Sequence, residues 1–190
     1  MEEPRTQPRT QPRTIELTDP RALRALAHPT RIRLVGLLRR QGPLTATQAG
    51  ERIGQSPASC SFHLRQLAKY GLVEEAGGGR GRERPWRATA LFTSWKATSE
   101  TAEAVGALNS VIAERWFEEL AAWFERMPDE APAWREAYQL SDLVLRLTPE
   151  ELTEVGARIW EMLSAYDPER RPEGGRPVMF MFAGYPREEG

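Results

Sequence analysis

The sequence predicts a mainly α fold of the α+β kind, laid out as a compact set of capped helices closed by a Gly/Arg-rich hairpin, one long helix, and a small C-terminal α+β unit. Three observations carry this. Capping residues followed by proline at the first helical position recur at Asp19-Pro20, Ser56-Pro57 and Thr148-Pro149. Apolar residues from Val105 to Met127 repeat every three or four positions, the period of one helix face. Charge is split along the chain: residues 1–99 hold 17 Lys/Arg against 8 Asp/Glu, a net of +9, and residues 100–190 hold 9 against 19, a net of −10. A basic half beside an acidic half fits an N-terminal part that faces a polyanion and a C-terminal part that does not.

Composition narrows the class further. With 190 residues, 40% apolar and 28% charged, the chain can bury one large core or two small ones. No apolar run approaches the roughly 20 residues that span a bilayer, and the start lacks a signal-peptide segment, so a cytoplasmic, nucleoid-associated protein with no membrane partner is expected. The single cysteine excludes an intrachain disulfide and any cluster of cysteine ligands.

Residues 4–15 repeat Pro-Arg-Thr-Gln almost perfectly, with Pro4, Pro8 and Pro12 in register, which forbids a helix and predicts a disordered arm over residues 1–14. Its Arg5, Arg9 and Arg13 could follow a phosphate backbone, or the arm could be a solvated tail without a task. Order is expected from near Ile15. A first helix follows Asp19-Pro20 with Leu23, Leu26 and Ala27 at helical spacing, and a second follows His28-Pro29 with Ile32, Leu34, Val35, Leu37 and Leu38 buried, ending at Gly42-Pro43. His28, before a proline at a helix junction, is read as satisfying backbone groups rather than binding metal.

Leu44 reads as a short strand. Thr45 can cap a helix carrying Ala46, Ala49 and Ile53, which Gly54 ends; Ser56 caps the next, with Cys60, Leu64 and Leu67 on its core stripe and His63 at the edge. Its other side shows Ser59, Ser61, Phe62, Arg65 and Gln66, small or hydrogen-bonding groups that can approach base edges and phosphates. Gly71 stops this helix, Leu72 to Glu75 alternates into a strand, and Gly77-Gly78-Gly79 turns it back past Arg80, Arg82, Arg84 and Arg87, with Glu83 doing little to offset them. Helix, turn, capped helix and basic hairpin, in that order, make a winged helix-turn-helix.

The residues from His28 to Leu34 (HPTRIRL), from Ser56 to Val73 (SPASCSFHLRQLAKYGLV) and the Gly/Arg hairpin together resemble the ArsR-like winged-helix repressors of bacteria, over roughly residues 18–95. The resemblance implies a homodimer on a pseudo-palindromic operator, with residues 57–70 as recognition helix and Ser59, Ser61, Phe62 and Arg65 at DNA-facing positions. Metal-sensing members of that family carry cysteine pairs or Asp/His clusters. Here Cys60 stands alone, and Cys60 with His63 supplies only half of a tetrahedral site, so a packed cysteine and no metal are expected.

The long helix is expected from about Thr98 to Met127, over about 40 Å in length. Its stripe of Leu108, Ile112, Trp116, Leu120 and Trp123 is too extensive for a small winged domain to cover, and a second copy is the simplest partner; packing within its own chain is the competing reading. After a break at Pro128 to Pro132, Asp142 to Leu147 alternates as a strand. Thr148-Pro149-Glu150-Glu151 opens a helix with Leu152, Val155, Ile159, Met162 and Leu163 inward, and Val178 to Phe182 reads as another strand. The aromatic and methionine content of this half could line a pocket for an apolar or aromatic effector, or serve as core and subunit interface.

The expected organisation is therefore an arm at 1–14, a winged helix-turn-helix domain at 15–97, and a dimerisation and sensing domain at 98–190. The expected function is a homodimeric, sequence-specific transcriptional repressor, not an enzyme and without a cofactor, controlled by a non-metal signal acting on the C-terminal half. Its DNA-binding residues would be Thr45, Gln55, Ser56, Ser59, Ser61, Phe62, Arg65, Gln66, Arg80, Arg82, Arg84 and Arg87. The alternative is a small-molecule-binding or protein-interaction module that uses the winged helix for docking. No phosphate-binding glycine loop, nucleophile elbow or oriented carboxylate pair supports catalysis.

Overall fold

The computed structural model describes residues 14–78, 84–166 and 170–188. The arm of residues 1–13 and the hairpin residues Arg80, Arg82 and Glu83 lie outside the described residues. The chain forms two compact units that divide between Phe124 and Glu125.

The first unit opens with strand β1 (Thr14–Leu17), which the sequence did not announce, and continues through α1 (Pro20–Leu26), α2 (Pro29–Gln41), α3 (Ala46–Ile53) and α4 (Pro57–Ala68). Each start has its predicted cap. Asp19 Oδ1 accepts the Arg21 N–H at 2.8 Å, and His28 Nδ1 accepts the Thr30 N–H at 3.2 Å, so His28 serves the backbone as expected. Strands β2 (Val73–Glu75) and β3 (Trp86–Ala88) pair antiparallel, Glu74 opposite Arg87, and Leu44 bridges to Trp86 as a single-residue third strand. Strand β4 (Phe92–Trp95) pairs in parallel with β1, and α5 (Ala102–Arg126) begins four residues later than the periodicity suggested, after buried Thr101 donates to the Lys96 carbonyl.

Leu23 of α1, Leu34 of α2, Ala49 of α3, Cys60, Leu64 and Leu67 of α4 and Leu72 after it are fully enclosed, with Leu44, Val73 and Trp86 sealing the hairpin side. Each large aliphatic side chain enclosed in this way contributes about 1.5–3 kcal/mol relative to exposure. The first turns of α5 join this core through Ala104, Val105 and Leu108.

The second unit holds α6 (Pro132–Ala137) and α7 (Pro149–Ser164), the latter opened by the predicted capping box between Thr148 and Glu151. Two expectations fail here. Residues 142–147 and 178–182 form neither helix nor ladder, so among the described residues this unit has no strand and is not an α+β unit. Alternation marks a segment able to pair, but a strand exists only when another backbone takes up its N–H and C=O groups. Likewise Val155 and Met162 on α7 are exposed rather than inward, while Leu152, Ile159 and Leu163 are half-buried. Among the described residues no helix is long and apolar enough to cross a membrane.

Candidate nucleic-acid interface

The turn between α3 and α4 is built at close quarters. Gly54 sits in the left-handed region at φ 67° and ends α3, while the Gln55 N–H donates to the Gly50 carbonyl at 3.0 Å. A Cβ on Gly50 would meet the Gln55 carbonyl oxygen at 2.5 Å, so only glycine lets the chain fold back this tightly. Sequence reading passed over Gly50 because a glycine inside a helix carries no period; Gly50-x-x-x-Gly54 before a Ser-Pro cap was the available signal.

Thr45 and Ser56 both spend their side-chain acceptors on capping. Gln48 N–H donates to Thr45 Oγ1 at 3.2 Å with Gln48 Oε1 accepting the Thr45 N–H in return, and Ser59 N–H donates to Ser56 Oγ at 3.1 Å. Each hydroxyl keeps its own proton for a further acceptor. Ser59 Oγ donates to Gln55 Oε1 at 3.4 Å, joining two more of the expected site residues across the start of α4.

Along α4, Cys60, Leu64 and Leu67 are buried and the opposite side is open: Phe62 is 53% exposed, Arg65 is exposed, and Ser59, Ser61 and Gln66 are half-buried. The Phe62 ring meets the His63 ring edge-on at 5.3 Å between centroids and leaves the rest of its surface open. Burial pushes the Cys60 thiol above its ordinary range, which disfavours the thiolate. The His63 ring lies tilted against that of His28 at 4.6 Å between centroids, and burial, His28 and Arg31 together push its imidazole down.

The hairpin departs from the expectation that its arginines stand unopposed. Arg84 Nη1 lies 2.9 Å from Glu75 Oε2 and Arg87 lies 2.8 Å from Glu74 Oε1. Arg87 and Glu74 are register partners, so the pairing follows from the hairpin itself; the acidic pair Glu74-Glu75 was visible, but not which arginines it would meet. Arg39 of α2 was also missed. Its guanidinium donates to the Ala90 carbonyl at 3.0 Å and to Thr93 Oγ1 at 2.5 Å, fastening the segment after the hairpin to the helical core.

On α5, Leu108 is fully enclosed by its own chain, which leaves it no surface for a second copy; the early turns of a helix that follows the winged unit are needed to close that unit's core. Ile112, Trp116, Leu120 and Trp123 are half-buried, and Phe117 beside them is 73% exposed.

Residues 26–76, about a quarter of the chain, match a family model described as a helix-turn-helix domain. No curated protein matches the chain by sequence. Among solved structures, the chain is similar to a possible transcriptional regulator for arsenical resistance, with 27% identity, 58% of this chain and 96% of that chain covered, and a TM-score of 0.33. It is also similar to a mutant of MepR from S. aureus bound to an oligodeoxyribonucleotide, at 17% identity over 76% of this chain and 86% of that one with a TM-score of 0.30. A third is RV1404 from Mycobacterium tuberculosis, at 16% identity over 78% and 84% with a TM-score of 0.31.

Proposed function

Taking residues 26–76 as a helix-turn-helix domain, we propose that the protein is a sequence-specific DNA-binding transcriptional regulator, a homodimeric repressor that reads a pseudo-palindromic operator. The observation that carries this reading is α4. It is capped at Ser56, packed on one face through Cys60, Leu64 and Leu67, and left open at Phe62 and Arg65 on the other. In this reading α4 enters the major groove, Ser59, Ser61, Phe62, Arg65 and Gln66 meet base edges, and Thr45, Gln55 and Ser56 meet the phosphates beside the turn. The hairpin, with Arg80, Arg82, Arg84 and Arg87, takes the flanking backbone. Dimerisation falls to the later turns of α5, through Ile112, Trp116, Leu120 and Trp123, where aromatic surface remains partly open.

Footprinting of the purified protein on its own promoter tests this. Protection of two half-sites spaced by about one helical turn of DNA, or a multiple, is the expected result. The affinity should fall steeply with salt, and Arg80→Gln, Arg82→Gln and Arg84→Gln together should flatten log K against log[salt] by about 1 per lost phosphate contact. An unchanged slope removes the hairpin from the interface, and no preference for any sequence of the source genome favours a docking module instead.

A further inference from the structure

Away from α4 and the hairpin, four arginines of the first unit converge on a groove of about 340 Å³. Arg33 and Arg40 come from α2, Arg52 from α3 and Arg115 from α5. Glu118 and Glu119 also line it, so the groove carries an excess of two positive charges, and Glu118 is already engaged with Arg33 at 2.7 Å. Arg52 Nη1 donates to the Gln48 carbonyl at 3.0 Å, and neither Arg40 nor Arg115 has an ion-paired carboxylate among the described residues.

Gly36 explains how the two approach each other. A Cβ there would lie 3.2 Å from Arg40 Nη1 and 3.7 Å from Arg115 Nη1, so both guanidinium ends rest over the same bare stretch of α2. Arg115 Nε is buried and meets no acceptor among the described residues. Burial and the neighbouring Arg40 and Arg33 all disfavour its charged form, which Glu119 only partly offsets. A guanidinium keeps its proton under such conditions, and the cost of holding these charges together is relieved when an anion joins them.

We propose that this groove binds a small organic dianion, a phosphomonoester or dicarboxylate, with Arg40 and Arg115 as its two forks. Planar guanidinium groups match both anions through paired N–H donors. Ile53 and Ala122 supply an apolar wall, which favours an organic group over inorganic phosphate, and the volume lies at the lower end of small-molecule sites, about 300–1,000 Å³. This differs from the apolar or aromatic effector expected from composition. A ligand held across α2, α3 and α5 bears on the helix that precedes α4, so its binding shifts operator affinity; that second step rests on the DNA-binding reading, and the binding itself does not.

Isothermal titration of the full chain without DNA, at fixed ionic strength, tests the site with phenyl phosphate and succinate, and with benzyl alcohol as the neutral control. Saturable binding of either dianion at one per chain is expected, with none for benzyl alcohol. Arg115→Gln and Arg40→Gln should each weaken it by about tenfold or more, the loss expected for a charge-assisted hydrogen bond, and Gly36→Ala by less, since a Cβ 3.2 Å from Arg40 Nη1 asks that side-chain tip to move only slightly. Ligand-free Arg115→Gln should melt no lower than the parent chain, because it removes a charge from a crowded cluster. No saturable binding, or binding that Arg115→Gln leaves intact, overturns the proposal. So does an Arg115→Gln chain that becomes monomeric in sedimentation or loses slope in its salt dependence on DNA, since the arginines would then belong to a second copy or to phosphates. Dianion binding with unchanged operator affinity overturns the regulatory step alone; dianion binding by a chain that binds no DNA keeps the site and sinks the proposed function.

Discussion

Removing the two hairpin carboxylates, Glu74→Gln with Glu75→Gln, should tighten DNA binding. In the free chain these groups hold Arg84 and Arg87 at 2.9 and 2.8 Å, and with side chains 46% and 47% exposed they do so in nearly bulk solvent. Exposed pairs contribute about 0–1 kcal/mol each, so the double variant should lose no more than about 2 kcal/mol of stability. On DNA the balance reverses. A carboxylate held about 7 Å from a phosphate in water costs about 0.6 kcal/mol, and two of them about 1.2 kcal/mol, or roughly sevenfold in affinity. Screening over about 8 Å at physiological ionic strength should shrink that gain as salt rises. Fluorescence anisotropy with a labelled operator at low and high salt measures both effects, with Glu154→Gln on α7, itself paired to Arg158, as a control for the loss of a single paired acid elsewhere in the chain. Equal affinity at low salt, or a gain that salt does not diminish, would refute the reasoning and take Arg84 and Arg87 away from the phosphates.

Other perturbations read different parts of the fold. Ser56→Ala removes the cap of α4 and should cost about 1 kcal/mol in chemical denaturation, whereas Ser56→Asp should cost little. Gly50→Ala forces a methyl to 2.5 Å from a backbone oxygen, and the displacement needed should cost about 1–3 kcal/mol and weaken DNA binding with it. The imidazoles of His28 and His63 are both pushed down, chiefly by burial. The unfolded chain therefore takes up protons first as pH falls below about 6.5, and stability present above that pH is lost as pH drops toward the lowered folded values. His28→Asn, which can still cap α2, combined with His63→Gln should flatten the melting temperature between about pH 7 and 5; an unaltered pH profile would remove the pair from the account. Trp116→Lys on α5 should yield monomers in sedimentation velocity, and persistence of the parent's sedimentation would assign dimerisation elsewhere.

What the sequence made legible is what short-range chemistry specifies. Asp19, Thr45, Ser56 and Thr148 each announce a helix start because a side chain reaches a backbone N–H only two or three residues away, and each caps as read. The stripe of Cys60, Leu64 and Leu67 is likewise a property of one helix, and the open side of α4 follows as its complement. Features that need a distant partner were not readable in the same way. The Leu17 end of β1 gives no sign that it runs beside Trp95, and Leu108 gives no sign that its own chain encloses it while Phe117 stays open. The segments 142–147 and 178–182 show the converse, a strand pattern without the backbone partner that would make it a strand. For the candidate interface, residue types were available from the sequence and ion pairing was not, since Glu74 meets Arg87 only through hairpin register.

The parallel pair of β1 and β4 gives this fold an order in time. Thr14 leaves the ribosome 78 residues ahead of its partner Phe92, and at about 5–20 residues per second it waits roughly 4–15 s. Helices α1 to α4 can assemble from near neighbours during that interval, while the first strand stays an unpaired edge. Trp95 at the end of β4 then donates from its indole nitrogen to Asn109 Oδ1 at 3.2 Å, so the closing seam is also tied to α5. The helix proposed to join two copies is thus the last element of its unit to be synthesised, after every segment that closes the winged unit ahead of it.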